Sequence, residues 1–158
     1  MLVYEIVDLF VKEDLDYAIV GGYALAFHGL VRATVDIDLV LNLKESDFKK
    51  AEKLLLQIGL QSRLPVRAEE IIKMRQEYIN HRNLIAWSFV DHQKPYRQVD
   101  ILITHDVKKL KTEIISVGGK KIKIVTLEQL LKMKKAAGRP QDLVDIQNIQ
   151  DKINGKKS

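Results

Sequence analysis

The stretch GGYALAFHGLVRATVDIDLV, residues 21–40, carries the most structural information in this sequence. It contains a glycine pair, a short helical segment, a turn, and a strand with two aspartates two residues apart. Successive side chains of a strand point to opposite faces, so Asp36 and Asp38 are expected to share one face, away from Ile37 and Leu39. An apolar segment, LDYAIV, precedes the glycines. The pattern therefore predicts a strand, a tight glycine turn, a helix and a second strand.

A third aspartate, Asp100, lies in similar surroundings within RQVDILI, residues 97–103. If the two aspartate-bearing strands are neighbours in one sheet, three carboxylates converge. Two like charges about 4 Å apart repel by roughly 4 kcal/mol at an effective dielectric constant near 20, so the cluster is costly unless a cation offsets it. Hard divalent cations prefer oxygen ligands. The pattern therefore predicts a metal held by Asp36, Asp38 and Asp100.

The glycine pair, Gly21 and Gly22, indicates a possible phosphate site. Glycines between a strand and a helix let the backbone approach a phosphate closely, and they leave the first N–H groups of the helix free to donate. Two plainer interpretations remain open: the pair is a tight turn, and a D-x-D pair is a turn or faces solvent. Neither one explains why both motifs occur in this order.

The rest of the chain predicts alternating helices and strands of an α+β domain. A first helix is expected to run to about Glu13, and EIISV and KIKIV, joined by Gly118 and Gly119, predict a tight β-hairpin. Thr126 and Gln129 form a capping-box pattern that opens another helix. The remaining expectations are a helix capped by Ser46, a helix over residues 68–80, a strand over residues 83–90, and a last helix with Leu143, Ile146, Ile149 and Ile153 on its apolar stripe.

The composition sets limits on class and compartment. With 158 residues and 46% hydrophobic content, the chain is expected to form one domain over residues 1–153, followed by a disordered tail over residues 154–158. The absence of cysteine excludes disulfides and thiolate-ligated metals. The N-terminus lacks the pattern of a signal peptide and no apolar run reaches membrane-spanning length, so a soluble, cytoplasmic protein is expected.

Charge is distributed unevenly along the chain. Residues 1–103 carry 13 basic and 15 acidic side chains, whereas residues 104–158 carry 13 basic and 6 acidic ones. The basic part would attract polyphosphate or nucleic acid, although charge alone favours the plainer interpretation of a lysine-rich solvated surface. The histidines lack any repeated spacing of metal ligands. They are His28, His81, His92 and His105.

The motifs together resemble the polymerase-beta-type nucleotidyltransferase superfamily. Val20, Gly21 and Gly22 fit the first part of its signature, residues 23–35 form the spacer, and residues 36–39 fit the apolar-flanked pair of acids. A finer pattern is similar to the branch of AbiE-type toxin-like nucleotidyltransferases. Its positions here are His28, Gly29, Arg32, Thr34, and, within residues 131–146, Lys134, Arg139, Asp142 and Asp145.

The resemblance implies a nucleotidyltransferase fold, in which helices flank a short mixed sheet with the aspartates on one edge. It further implies transfer of a nucleoside monophosphate from a triphosphate to an acceptor hydroxyl, with Mg²⁺ or Mn²⁺ as cofactor. The implied catalytic and metal-binding residues are Asp36, Asp38 and Asp100, and the implied nucleotide-binding residues are Gly21, Gly22, Arg32, Thr34 and Lys134. Arg32 and Thr34 could instead brace the turn before Asp36, and Asp142 and Asp145 could be structural acids near a helix start.

Several alternatives stay open at this point. The domain could bind nucleotide without transferring it, or it could be a metal-dependent phosphodiesterase or nuclease, although hydrolysis needs no triphosphate cradle. The branch resemblance suggests a toxin component with a cognate antitoxin. The acceptor could be RNA, protein or a small molecule, and a homodimer is compatible with the sequence.

Overall fold

A mixed β-sheet forms the centre of the molecule. The structure is a computed structural model that describes residues 1–30 and 33–155, and within these residues the sheet has seven strands. They are β1 (Ala18–Val20), β2 (Ile37–Val40), β3 (Gln61–Ser62), β4 (Ala86–Val90), β5 (Gln98–Leu102), β6 (Thr112–Val117) and β7 (Lys120–Val125). Their order across the sheet is β3-β4-β5-β2-β1-β7-β6. The pairs β2–β5 and β1–β7 are parallel and the other neighbouring pairs are antiparallel, so the predicted α+β class with a mixed sheet is confirmed.

Seven α-helices flank this sheet in the described part of the chain. They are α1 (Leu2–Lys12), α2 (Gly21–Phe27), α3 (Glu45–Gln57), α4 (Ala68–Lys73), α5 (Arg75–Arg82), α6 (Leu127–Ala137) and α7 (Leu143–Ile153). Two short 3₁₀ turns, Val107–Lys109 and Pro140–Asp142, complete the described elements.

The apolar face of the sheet holds the core. Trp87 pairs directly with Ile101 across β4 and β5, and its indole stacks against Phe48 of α3 at a ring-centroid distance of 6.0 Å. Ile37, Leu39 and Ile101 are all buried. Because side chains alternate along a strand, this arrangement directs the aspartates of β2 and β5 to the opposite face.

Several local expectations are corrected. The helix expected over residues 68–80 is two helices, since the backbone at Met74 (φ −102°, ψ 18°) separates α4 from α5. Ser46 does not cap α3, because the helix begins at Glu45 and the N-cap residue is Lys44. Of the expected capping box, Thr126 Oγ1 accepts the backbone N–H of Gln129 at 3.1 Å, but the Gln129 side chain accepts instead from the backbone of Lys111.

The β6–β7 hairpin forms as predicted. Gly118 and Gly119 form its two-residue connection and have φ values of 55° and 79°. Two consecutive left-handed residues are what this type of turn requires, and glycine adopts that conformation without a steric penalty.

No helix in the described ranges 1–30 and 33–155 is long and apolar enough to cross a membrane.

Candidate active site

Two of the predicted acids lie side by side in the centre of the sheet. β2 and β5 are parallel neighbours, and their register pairs Asp38 directly with Asp100. Asp38 pairs on its other side with Val20 of β1, and Asp100 pairs with Ser88 of β4. The aspartates therefore project from one face of the central strands. The expectation that they lie on an edge is wrong, because further strands extend the sheet on both sides of them.

The carboxylates perturb one another strongly. Burial raises the pKa of Asp38 to about 7, with further contributions from the charges of Asp100 and Asp36, while Lys134 opposes the shift. Burial also raises the pKa of Asp36, again with help from Asp100, and Arg63 opposes that shift. Around neutral pH, the protein without a bound cation therefore holds part of this cluster in the protonated form. A divalent cation would offset the part of these pKa shifts that comes from the neighbouring carboxylates.

The fit of this cluster to a metal can be judged from its donors. The three side chains offer only carboxylate oxygens, the donor set that Mg²⁺ and Mn²⁺ prefer. However, within residues 1–30 and 33–155 no group of three or more acidic or histidine side chains is arranged to hold a metal ion. Asp38 and Asp100 are in register, whereas Asp36 precedes the first residue of β2. The donor chemistry thus fits a hard cation, but the expected convergence of all three carboxylates is not preformed.

The glycine pair packs directly against the strand that carries the aspartates. α2 begins at Gly21, which has a φ of 67°, and a Cβ atom there would collide with the carboxylate of Asp38. A Cβ atom on Gly22 would lie 2.7 Å from Thr34 Oγ1 and 2.9 Å from Thr34 Cβ. The pair is therefore required by close packing at the strand-helix junction. This close approach also brings the start of α2 next to the carboxylates.

Two other residues singled out by the sequence brace this region. Thr34 Oγ1 donates to the backbone carbonyl of Asp36 at 3.2 Å, consistent with a role in fixing the turn before β2. His28 Nε2 lies 2.8 Å from the carbonyl oxygen of Val125 and ties the end of α2 to β7. Arg32, the remaining residue of the pattern around this turn, lies outside the residues that the structure describes.

Lys134 lies close enough to the site to influence Asp38, but its ammonium group is engaged. Its Nζ lies 3.3 Å from Asp142 Oδ1 and 3.1 Å from Asp145 Oδ2, and its side chain is 11% exposed. Arg139 Nε and Nη2 donate to the two carboxylate oxygens of Asp142 at 2.8 and 3.0 Å. Asp142 and Asp145 thus form a buried acidic support for Lys134.

This support explains a wrong expectation for α7. Leu143 was expected on the apolar stripe, but it is 65% exposed, because Asp142 and Asp145 take the buried positions facing Lys134. Ile149, from the same expected stripe, is fully buried.

The sequence patterns did not single out two residues that lie beside Asp100. Gln98 Nε2 donates to Asp100 Oδ1 at 3.3 Å, and Arg63 Nη2 donates to Gln98 Oε1 at 3.2 Å. Gln98 could have been found from its position two residues before Asp100 on the same strand face. Arg63 gave no signal, since its place depends on the short strand β3 and on tertiary pairing.

The fold is similar to those of solved nucleotidyltransferase structures. The lincosamide antibiotic adenylyltransferase LnuA, in its lincomycin-bound form, gives a TM-score of 0.64 at 16% identity, over 94% of this chain and 94% of that chain. ANT(2″)-Ia in complex with adenylyl-2″-tobramycin gives 0.62 at 12% identity, over 96% of this chain and 86% of that chain. An antigenic nucleotidyltransferase-like protein from Paracoccidioides brasiliensis gives 0.58 at 17% identity, over 94% and 74%.

Comparisons of sequence add nothing to this structural likeness, since no protein-family model and no curated protein sequence matches the chain. The solved structures establish the fold as that of nucleotidyltransferases, as the resemblance in residues 20–39 predicted.

Proposed function

We propose that this chain, which has the nucleotidyltransferase fold, moves a nucleoside monophosphate from a nucleoside triphosphate to an acceptor hydroxyl. The observation that carries the proposal is the in-register pair of Asp38 and Asp100 next to the glycine pair. The pKa of Asp38, raised to about 7, supports a site that is built to receive a cation. Because the solved neighbour LnuA is named an adenylyltransferase, adenylate is the first transferred group to test.

The proposed roles follow from the positions of the side chains. Asp36 and Asp38 would hold a divalent cation beside the triphosphate, and Asp100 would accept the proton of the attacking hydroxyl. When bound, such a cation stabilises the charge on the entering and leaving oxygens. Gly21 and Gly22 let the phosphates approach the backbone.

Three more residues have secondary proposed roles at the nucleotide. Lys134 supplies positive charge from its support on Asp142 and Asp145, without leaving those ion pairs. Thr34 keeps Asp36 in place through its hydrogen bond to the backbone. Arg32, carried over from the sequence pattern, is proposed to meet the triphosphate.

A second candidate function is a domain that binds nucleotide without transferring it. Two observations favour it: the ammonium of Lys134 is already paired with two carboxylates, and the described residues contain no ready-made group of three metal ligands. Binding and transfer therefore have to be measured separately.

The test compares the wild type with Asp38→Asn and Asp100→Asn. Affinity for each nucleoside triphosphate with Mg²⁺ is measured by calorimetry, and transfer is measured in single turnovers with α-labelled triphosphate and an acceptor pool. Loss of Asp38 is expected to weaken binding most. Loss of Asp100 is expected to spare much of the affinity while lowering transfer by orders of magnitude, because its interaction is made chiefly in the transition state.

The control for both variants is Glu13→Gln, which removes one exposed carboxylate from the end of α1. Intact binding without transfer by the wild type on any acceptor would move the assignment to the binding module. Failure to bind any triphosphate with Mg²⁺ or Mn²⁺ would reject both candidates.

The branch resemblance carries a finer proposal, in which the protein is the cytoplasmic toxin of a toxin-antitoxin pair. It rests on His28, Gly29, Thr34 and the motif in residues 131–146. Expression should then arrest growth, and Asp38→Asn should abolish the arrest. Arrest that persists in that variant would separate toxicity from the proposed nucleotide site.

A further inference from the structure

We propose that Arg63, hydrogen-bonded to Gln98, forms an anion subsite beside Asp100, and that the acceptor carries a phosphate close to its reactive hydroxyl. This inference rests on the proposed transfer reaction and narrows its acceptor. The shared chemistry is that of a sugar phosphate, which the 3′ end of an oligonucleotide and a small phosphorylated sugar both provide.

Arg63 lies in the same row of paired residues as Asp100. Arg63 follows β3, and its backbone N–H donates to the carbonyl of Ser88 at 2.9 Å. Ser88 pairs with Asp100, and Asp100 pairs with Asp38. Arg63, Ser88, Asp100 and Asp38 therefore form one row across four adjacent chain segments. Because adjacent strands are about 4.8 Å apart, the backbone of Arg63 lies about 10 Å from that of Asp100, with Ser88 between them.

The side chain of Arg63 is directed toward Gln98, and through it toward Asp100. Its Nη2 donates to Gln98 Oε1 at 3.2 Å, and Gln98 Nε2 donates to Asp100 Oδ1 at 3.3 Å. Gln98 and Asp100 are two residues apart on β5, so they share a face of the sheet. Arg63 thus bends along the carboxylate face toward the residue that is proposed to accept the hydroxyl proton.

The Arg63 guanidinium supplies the positive charge of the proposed subsite. Its side chain is exposed, and within residues 1–30 and 33–155 it forms no salt bridge, in contrast to Arg67, Arg97 and Arg139. A guanidinium has five N–H donors in a planar fork, which suits two oxygens of one phosphate. The hydrogen bond to Gln98 leaves donors of Arg63 available for such a ligand.

The subsite gives the reaction a defined geometry. The acceptor phosphate binds Arg63, and the acceptor hydroxyl lies over Asp100. The hydroxyl oxygen forms a bond to the α-phosphorus of the triphosphate, and the bond from that phosphorus to the β-phosphate oxygen breaks. Pyrophosphate leaves with the electron pair, and the hydroxyl proton passes to the Asp100 carboxylate. Gln98 positions that carboxylate through its hydrogen bond.

The charge of this subsite also disfavours a different kind of acceptor. A cationic acceptor such as an amino sugar would place positive charge against the unpaired Arg63 guanidinium, and like charges repel. A neutral sugar would gain nothing from Arg63. The proposal therefore orders the acceptors as phosphorylated, then neutral, then cationic.

The experiment compares the wild type with Arg63→Ala, Arg63→Lys and the control Arg82→Ala. Arg82 is an exposed arginine at the end of α5 and lies outside the row, so the control removes the same charge elsewhere on the surface. The acceptor probes are a single-stranded RNA with a free 3′ hydroxyl, ribose 5-phosphate, ribose and glucosamine. Transfer of labelled adenylate gives kcat and KM, and calorimetry gives the affinity for ATP with Mg²⁺.

Arg63→Ala is expected to lower kcat/KM for phosphorylated probes by about 10- to 100-fold, the usual effect of losing a charge-assisted hydrogen bond. Activity on ribose should fall much less than activity on the phosphorylated probes, because ribose offers no phosphate to Arg63, and the affinity for ATP should change little. Arg82→Ala should stay within about twofold of the wild type on every probe. Arg63→Lys should recover part of the loss, because it keeps the charge without the planar fork. RNA favoured over ribose 5-phosphate identifies an oligonucleotide as the source of the phosphate, and the reverse identifies a small sugar phosphate.

Equal losses on ribose and ribose 5-phosphate, or equal effects of Arg63→Ala and Arg82→Ala, would overturn the inference while leaving the transfer reaction in place. If the wild type binds no triphosphate, the proposed function fails instead. Fluorescence anisotropy of the labelled RNA still tests the subsite in that case. Loss of RNA binding in Arg63→Ala but not in Arg82→Ala supports it, and equal binding in all variants rejects it.

Discussion

Asp38 is the residue at which folding and the proposed function most clearly oppose each other. It lies on β2 between Val20 and Asp100, where burial and two neighbouring carboxylates raise its pKa to about 7. In the unfolded chain the same carboxyl has the ordinary value of 3.8. Folding therefore favours the protonated form. A cation binds the ionised form of Asp38. That form is less favourable in the folded protein than in the unfolded chain.

The sign of the pH dependence follows from these two values. Below about pH 4 the carboxyl is protonated in both states, so it contributes no difference. As the pH rises from about 4 to 7, the unfolded chain releases the proton while the folded protein keeps it. The free energy of unfolding therefore falls across that pH window. Above about pH 7 the contribution of the Asp38 carboxyl stays constant. At about 1.4 kcal/mol per pKa unit, the full loss approaches about 4 kcal/mol.

Asp38→Asn should remove this loss. In buffer with a chelator at pH 8, we expect the variant to unfold at a higher urea concentration than the wild type, and the gap should close as the pH falls to 4. Adding Mn²⁺ should narrow the gap by stabilising only the wild type. Urea titrations followed by circular dichroism measure all three effects, with Glu13→Gln as the exposed control. A gap independent of pH would show that the Asp38 carboxyl is not perturbed as described.

The sequence predicted that Asp38 and Asp100 lie on strands, and the structure confirms this. Alternation along β2 turns Asp38 away from the buried Ile37 and Leu39, whereas Asp36 lies before the strand begins. This alternation could not reveal Gln98 as the hydrogen-bond donor to Asp100, or Arg63 as the nearby cation, because both contacts require the tertiary pairing of strands. Lys134 was predicted to bind the nucleotide, and its pairing with Asp142 and Asp145 became visible only when α6 and α7 were placed together.

The junction between β1 and α2 leaves no room for side-chain atoms at Gly21 and Gly22. Gly22 does not require a left-handed backbone, in contrast to Gly21 with its φ of 67°. The three described atoms nearest to a Cβ atom at Gly22 all belong to Thr34, and its Oγ1 would lie 2.7 Å away. The space that Thr34 occupies is therefore a structural reason for glycine at this position.

Gly22→Ala should destabilise the fold by about 1–3 kcal/mol, the usual cost of an overpacked site. Thr34→Gly removes both atoms that the new methyl group would meet, so the double variant should be more stable than the sum of the two single changes predicts. Thermal and urea unfolding of the four proteins gives the coupling energy. Additive losses would indicate that the helix shifts to make room and that Thr34 is not the obstacle.

Elements governed by local pattern were predicted well. The Gly118-Gly119 hairpin and the strands with Asp38 and Asp100 have strong periodicity or turn chemistry of their own, and the structure confirms them. The two-residue strand β3 and the break at Met74 were missed. Both are set by packing against α3 and β4, for which the local sequence gives no signal.

The order of the strands across the sheet brings the residues of the candidate site together. β2 and β5 are far apart in the chain, yet they are parallel neighbours. β4 and β3 then extend the same row on one side, while β1 with the glycine junction extends it on the other. The sequence could predict that such strands exist. Their order could come only from the resemblance or from the structure, because many strand orders satisfy the same pattern of apolar residues.

A buried ion cluster joins α6 to α7. Asp142 is 1% exposed and contacts both Lys134 and Arg139. The hydrogen bonds from Arg139, together with those from Lys134, lower the pKa of Asp142 to about 2 against the effect of burial. Because the pKa in the folded protein lies below the unfolded value of 3.8, the cluster contributes stability above about pH 4 and loses it as the pH falls through about 2.

Asp142→Asn should therefore lower the free energy of unfolding at pH 7 by about 2 kcal/mol, since the pKa difference is worth about 1.4 kcal/mol per unit. The gap between variant and wild type should shrink steadily between pH 4 and pH 2, where the wild-type carboxyl also loses its charge. Urea unfolding at half-unit pH steps measures the gap. Asp8→Asn is the matched control, because it removes a carboxylate that pairs with Lys120 at the surface, at 2.7 Å and 56% exposed. An exposed pair of this kind contributes at most about 1 kcal/mol, so the control should differ little from the wild type at any pH. A constant gap down to pH 2 would mean that Asp142 stabilises the helix pair through packing alone, and the support for Lys134 beside Asp38 would then not depend on charge.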